Sequence, residues 1–226
     1  MRPGRLNASV AGLFMAGSFC FAVGALPRYL SAVGTVADAL TFFVGSLFFT
    51  LASFAQLVQA QSPEMAAARD ARRAHRGTLV FWAWLPRDRA WLSAATQFPG
   101  TLEFNMSTLF AVSTSLTMSE VDRLVWRPDF FGSVFFVVSS AFGIVALHRG
   151  FLSWDPGRLS WWIAWLNMLG SLAFIVAALA SYVLPATGSA VDLRWVNLGT
   201  FAGALCFFVG AALLLPAWRI AAKEGA

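Results

Sequence analysis

Six apolar blocks, near residues 9–27, 36–59, 99–119, 129–148, 161–184 and 196–217, fill most of this chain. Each is about 20 residues long, enough for an α-helix to cross the ~30 Å hydrocarbon layer of a bilayer. A helix is also the form that satisfies every backbone N–H and C=O within one segment, which lipid demands. Charge content agrees with that reading. Only 12% of residues are Asp, Glu, Lys or Arg, against about 25% in a soluble domain. The expected fold is therefore all-α: a polytopic membrane helix bundle of about six transmembrane helices, with residues 1–226 forming a single integral membrane domain. The third block is the least apolar. Arg2 and Arg5 precede the first block without a small-residue cleavage site, so it reads as an uncleaved span.

Basic residues set the expected orientation. With the N-terminus inside, the cytoplasmic side receives Arg2, Arg5, the six arginines of segment 60–98, Arg149, Arg158, Arg219 and Lys223. Arg28, Arg123, Arg127 and Arg194 fall outside, twelve against four. Both termini are thus predicted to be cytoplasmic, in a plasma (inner) membrane. Tryptophan prefers the wet edge of the bilayer, and the ten tryptophans all fall near predicted interfaces, eight of them cytoplasmic.

Segment 60–98 is the only long connection. SPEMAAARDARRAHRG reads as a short basic helix, with Ser62 as N-cap, Pro63 at the first position and Gly77 as its stop. Its arginines suit anionic headgroups at the cytoplasmic face. TLVFWAWLPRDRAWLSAATQF follows; it is aromatic, basic and broken by Pro86, as befits an interfacial or re-entrant stretch. Loops on the positive side are basic by default, so no nucleic-acid partner is expected.

The pattern Gly-Ser-x-x-Phe recurs at Gly17-Ser18…Phe21, Gly45-Ser46…Phe49, Gly132-Ser133…Phe136 and Gly170-Ser171…Phe174, and Gly203-Ala204…Phe207 is a near match. The third block offers only Met106-Ser107…Phe110. Small residues let backbones approach, and a phenylalanine four residues on shares the glycine's face. Gly17, Gly45, Gly132, Gly170 and Gly203 are accordingly expected to be helix-packing positions. The repeat implies duplication of a helix or hairpin, in two-helix or three-helix units. GSLFFTLASF at 45–54 against GSVFFVVSSA at 132–141 is the best pair. These GSxxF hairpins resemble the small YrhK-type membrane domain of bacteria. QFPGTLEFN-x-ST and VWRPDFFGSVFFVVSS are similar to uncharacterised bacterial multi-pass membrane proteins. The resemblance implies a membrane bundle and brings no activity with it.

Polar chemistry concentrates in the third block. Gln97, Thr101, Asn105, Thr108, Val112, Ser115 and Ser119 follow helical spacing; Glu103, Ser107, Thr114 and Thr117 form a second stripe beside them. This helix is expected at the bundle's centre, with Glu103 one turn inside its cytoplasmic end and level with residue 145. The candidate intramembrane polar site is Glu103, Asn105, Thr108, Ser115 and His148. Two readings stand: Glu103 fixes register by pairing with His148 or an arginine, or Glu103 and His148 form a proton or cation site. Asn167 is expected to join Glu103's network and Asp38 to cap the second span. Asp122, Arg123, Arg127 and Asp129 form a local salt-bridge network in this reading.

Cys20 and Cys206 lie in apolar blocks, far from any Cys/His cluster, so no metal site is expected. Phe19 stands where a lipid-attachment signal needs a small residue. Walker, HExxH and GxSxG motifs are absent, no two histidines are spaced for haem or metal on one helix, and two histidines in all are too few for a di-haem redox protein. No cofactor and no enzyme activity are expected. The function read from sequence is a non-enzymatic structural or interaction bundle, its partners the lipid bilayer and a second copy or another membrane protein. The alternative is a transporter of small solutes, ions or protons along the polar third helix.

Overall fold

The computed structural model describes residues 3–62, 79–147 and 154–224. Six long helices carry the fold: α1 (Pro3–Gly24), α3 (Thr35–Gln61), α4 (Arg89–Ala111), α5 (Met118–Leu147), α6 (Leu159–Ala180) and α7 (Leu193–Glu224). A short α2 (Pro27–Val33) links α1 to α3, and the two-residue strands β1 (Val183–Leu184) and β2 (Ser189–Ala190) form a small hairpin between α6 and α7. All the long helices except α4 are long and apolar enough to cross a membrane. This is an all-α membrane protein. Large apolar side chains cover the outside of the bundle, among them Phe19, Leu51, Leu109, Phe131, Leu172 and Leu205.

Each long helix packs on the long helices before and after it, and α7 returns to α1, so the bundle is a closed ring. Neighbours run antiparallel. Gly17 meets Gly45 and Gly24 meets Phe42; Ser93 meets Ser139 and Gly100 meets Gly132; Gly170 meets Gly203 and Asn167 meets Gly210. Pro3 and Glu224 lie at one end of the ring, called proximal below. Among the described residues no helix occupies the centre, which corrects the expectation that the third span is surrounded by the other five.

The centre is made of phenylalanine. Phe21, Phe49, Phe104, Phe136, Phe174 and Phe207, one from each long helix, are all buried to 6% exposure or less. They stack as two triangles. Phe21, Phe104 and Phe174 have centroids 5.9–6.3 Å apart, and Phe49, Phe136 and Phe207 5.6–6.3 Å apart. The layers are joined by the pairs 21–49, 104–136 and 174–207 at 5.0–5.4 Å. These separations fall in the range where offset and edge-to-face aromatic pairs attract.

The repeat unit is therefore a helical hairpin, used three times: α1–α3, α4–α5 and α6–α7. Its crossing point is a glycine pair. A Cβ added to Gly17 would lie 2.8 Å from the Gly45 carbonyl oxygen; the corresponding distance is 3.1 Å at Gly100 against Gly132 and 3.0 Å at Gly170 against Gly203. Only glycine permits backbones to come so close. The residue after each glycine (Ser18, Ser46, Thr101, Ser133, Ser171, Ala204) is wholly buried. Most of these hydroxyls bond back to their own helix, as Ser133 does to the Asp129 carbonyl and Ser171 to the Asn167 carbonyl.

The third helix begins ten residues before the predicted boundary. Asp88 caps it, its carboxylate accepting from the Ala90 and Trp91 amides at 2.8 and 3.0 Å. Pro99 sits inside it rather than at its start. The helix ends at Ala111, so Thr114, Ser115, Thr117 and Ser119 are not on it. Residues 89–98, expected at the interface, belong to this bundle helix, and Trp91 is buried. The preceding chain at 79–88 does present Phe81, Trp82 and Trp84 outward. It is pinned by the Gln61 amide, which donates to the Phe81 carbonyl and accepts from the Ala83 amide. Residues 63–78, where the basic helix was expected, lie outside the described residues. Asp38 does not cap α3. Gly34 holds that position with φ 82°, and Asp38 falls in the first turn.

Candidate functional site

The polar residues of α4 face two different neighbours. Residues 103 and 105 are two positions apart, which turns their side chains about 200° from one another. Asn105 faces α3, where its Nδ2 donates to Thr50 Oγ1 at 2.8 Å. Thr108 Oγ1 lies 2.9 Å from Ser46 Oγ and donates to the Phe104 carbonyl at 2.7 Å. Thr50 Oγ1 in turn bonds the Ser46 carbonyl on its own helix and the Thr101 carbonyl across the interface. Asn105 and Thr108 thus belong to one hydrogen-bonded seam between hairpin α1–α3 and hairpin α4–α5. Asn105 Oδ1 is buried there without a partner.

Glu103 faces the other way, into the crossing of α4 with α5. A Cβ at Gly132 would lie 3.3 Å from Glu103 Cβ. Glu103 is therefore level with Gly132, not with residue 145. Leu147, the last described residue of α5, is about 22 Å farther along that helix at 1.5 Å per residue. His148 lies outside the described residues. Glu103 is also 14 residues past Arg89, beyond the first turn, where a helix dipole favours a carboxylate. Among the described residues its side chain has no ion pair and no hydrogen bond. The corresponding positions of the other hairpins are Cys20 and Ala173. Ser115 is an exposed residue of the α4–α5 connection. Asn167 does not join Glu103; its Oδ1 points at Gly210 of α7.

At the distal end Arg127 and Asp122 form an ion pair at 2.7 Å across a wide π turn at Val121–Trp126. Asp129 has no ion pair among the described residues, so the expected four-residue network reduces to this pair. Trp126 ends the turn and donates to the Ala178 carbonyl at 2.8 Å, fastening α5 to α6.

An added Cβ would meet an atom of the facing helix at 2.6–3.0 Å at Gly17, Gly45, Gly132, Gly170 and Gly203, and at 2.8 Å at Gly100, which the pattern read from sequence does not include. The third helix carries the pattern as Gly100-Thr101…Phe104, with threonine for serine, and not as Met106-Ser107…Phe110. The Pro99-Gly100 dipeptide reads as a helix boundary in sequence, which hid the match. Within a bundle the backbone group freed by a proline is re-satisfied locally. Among the described residues no group of three His, Cys, Asp or Glu side chains is placed to hold a metal ion. Comparison of the chain with protein families, curated proteins and solved structures finds no match.

Proposed function

We propose that this protein is a non-enzymatic, six-span membrane bundle with both termini cytoplasmic, acting as a structural or interaction unit. The observation that carries the reading is the pair of phenylalanine triangles, which fills the bundle axis where a transport path would run. The seam of Asn105, Thr108, Ser46 and Thr50 supports it, because those polar groups bond one another between helices. In lipid such bonds contribute about 0.6–1.7 kcal/mol each and hold register. The apolar outer surface suits lipid and lateral contact with a second copy or another membrane protein. The proximal end, richer in basic residues, then faces anionic headgroups of the inner leaflet.

Thiol accessibility tests both the closed axis and the topology. In a chain with Cys20 and Cys206 replaced by alanine, single cysteines are placed at 105, 108 and 115. A membrane-impermeant maleimide applied to intact cells is expected to label Ser115→Cys and spare Asn105→Cys and Thr108→Cys. Labelling of 105 and 108 would favour the transporter reading. Labelling of 115 only after the membrane is opened would invert the topology.

A further inference from the structure

Just proximal to the aromatic core, a cavity of about 40 Å³ opens among α3, α4, α5, α6 and α7. Its polar walls are Gln56, Ser93, Gln97, Ser139, Ser140 and Asn167, and Phe136 and Phe207 line the side toward the core. Among the described residues no ionisable side chain borders it.

The hydroxyl protons around this chamber are already committed. Ser93 Oγ donates to the Ser139 carbonyl at 2.9 Å and Ser139 Oγ to the Ser93 carbonyl at 2.8 Å. Ser171 spends its proton on the Asn167 carbonyl, so in the 3.0 Å Ser140–Ser171 pair Ser140 is the donor. All three wall serines are left with free lone pairs. The carboxamides are the reverse case. Among the described residues the side chains of Gln56 and Asn167 make no hydrogen bond, and Gln97 only accepts, a longer 3.4 Å branch of the Ser139 hydroxyl proton that the Ser93 carbonyl already holds at 2.8 Å. A carboxamide has two donors and two acceptor lone pairs, and leaving them unmet away from water is costly.

The void is confined to one side of the ring. Counting from the crossing glycines, Gln97 and Asn167 correspond to Phe14 of α1, and Ser140 corresponds to Ala211 of α7. Around α1 and α7 this depth is filled by Val10, Phe14 and Ala211, all buried in the apolar core. Polar side chains and empty volume therefore occur together, around hairpin α4–α5, where the threefold pattern is broken.

We propose that the chamber is a hydration site, holding about three ordered waters, each of which needs roughly 10–15 Å³ of such volume. The waters bridge Gln56 of α3 and Asn167 of α6 to Gln97 of α4, tying the middle hairpin to both neighbours. The ligand class is a neutral, water-sized hydrogen-bonding solute. A bare ion is disfavoured because, among the described residues, no opposite charge lines the chamber to offset its desolvation.

Water-edited solid-state NMR on proteoliposomes, with ¹⁵N-labelled Asn and Gln side chains, tests this on the intact chain. Asn105 is the dry reference within the same bundle. Gln97→Leu and Asn167→Leu assign the signals. Magnetisation from water is expected to reach the Gln56, Gln97 and Asn167 amides several times faster than the Asn105 amide. The double variant Gln97→Leu/Asn167→Leu is expected to slow transfer to Gln56 as well, since the water cluster loses its other partners. Transfer to all three amides as slow as to Asn105 would overturn the proposal. Fast transfer to the chamber amides and to Asn105 alike would keep the hydration site and overturn the closed-axis reading instead.

Discussion

Hairpins α4–α5 and α6–α7 share one skeleton and differ in what they carry on it. Each crosses at a glycine pair, each follows its glycines with a wholly buried small residue, and each sends one phenylalanine into each aromatic triangle. At corresponding positions, however, α6–α7 has Ala173, Ala177, Ala178 and Ala211 where α4–α5 has Glu103, Ser107, Thr108 and Ser140. The shared residues decide how close the backbones come and where the core sits. The differing residues decide which neighbour each helix bonds to and where the packing is left open. Fold and individuality are therefore carried by separate positions of one repeat.

The largest expected effect comes from breaking what the two hairpins share. Gly132→Leu and Gly203→Leu should be equally damaging, because even a Cβ lies 3.0 Å from the Gly100 carbonyl oxygen in one case and 2.6 Å from the Phe174 ring in the other. Overpacking of this kind costs about 3 kcal/mol or more where backbones must part. Neither variant should yield a monodisperse bundle by size-exclusion chromatography in detergent. Gly12→Leu is the control, as nothing lies within 4 Å of a Cβ there. A folded Gly203→Leu beside an unfolded Gly132→Leu would show that the hairpins are not equivalent frames.

An intermediate effect is expected from residues that only the middle hairpin has. Thr108→Val and Asn105→Leu remove side chains bonded to Ser46 and Thr50 of α3. Each should lower stability by about 0.6–1.7 kcal/mol, the range for interhelical hydrogen bonds in lipid, measured by unfolding in mixed micelles of rising SDS fraction. Ala178→Ser, at the place in α6 that matches Thr108, should recover nothing. A loss above that range would mean that the seam carries the fold as the glycines do.

This division also explains what was legible in sequence. The Gly-Ser-x-x-Phe recurrence announced both the packing glycines and the face they share. It could not reveal that six helices close into a ring, because ring closure depends on α7 meeting α1 and leaves no local signature. Pro99-Gly100 was misread for a physical reason: its dipeptide ends helices in water, while α4 passes through it inside the bundle. That misplacement moved the apparent start of the helix by ten residues. It set Glu103 near an interface and opposite residue 145, and it added Ser115 to a helix that had already ended. The amides of Gln97 and Asn167, both three residues before a crossing glycine, were the available clue to the chamber. Seeing it required Gly100 to be recognised first.

The smallest expected effect sharpens the comparison at its most conspicuous difference. Glu103 stands where α6 has Ala173, and it has no ion pair or hydrogen bond among the described residues. Substitutions away from caps, cores and networks usually shift stability by no more than about 0.5 kcal/mol. Glu103→Gln keeps the volume and removes the charge, so the purified variant should unfold at the same SDS fraction as the parent chain, within that margin. If the carboxylate instead serves as a register lock, Glu103→Gln would cost well over 1 kcal/mol, as for a broken buried charge pair. The lock's partner would then have to lie outside the described residues or on another chain. An unchanged midpoint would place Glu103 with the dispensable additions to the repeat, and the individuality of the middle hairpin with Asn105, Thr108 and the chamber amides.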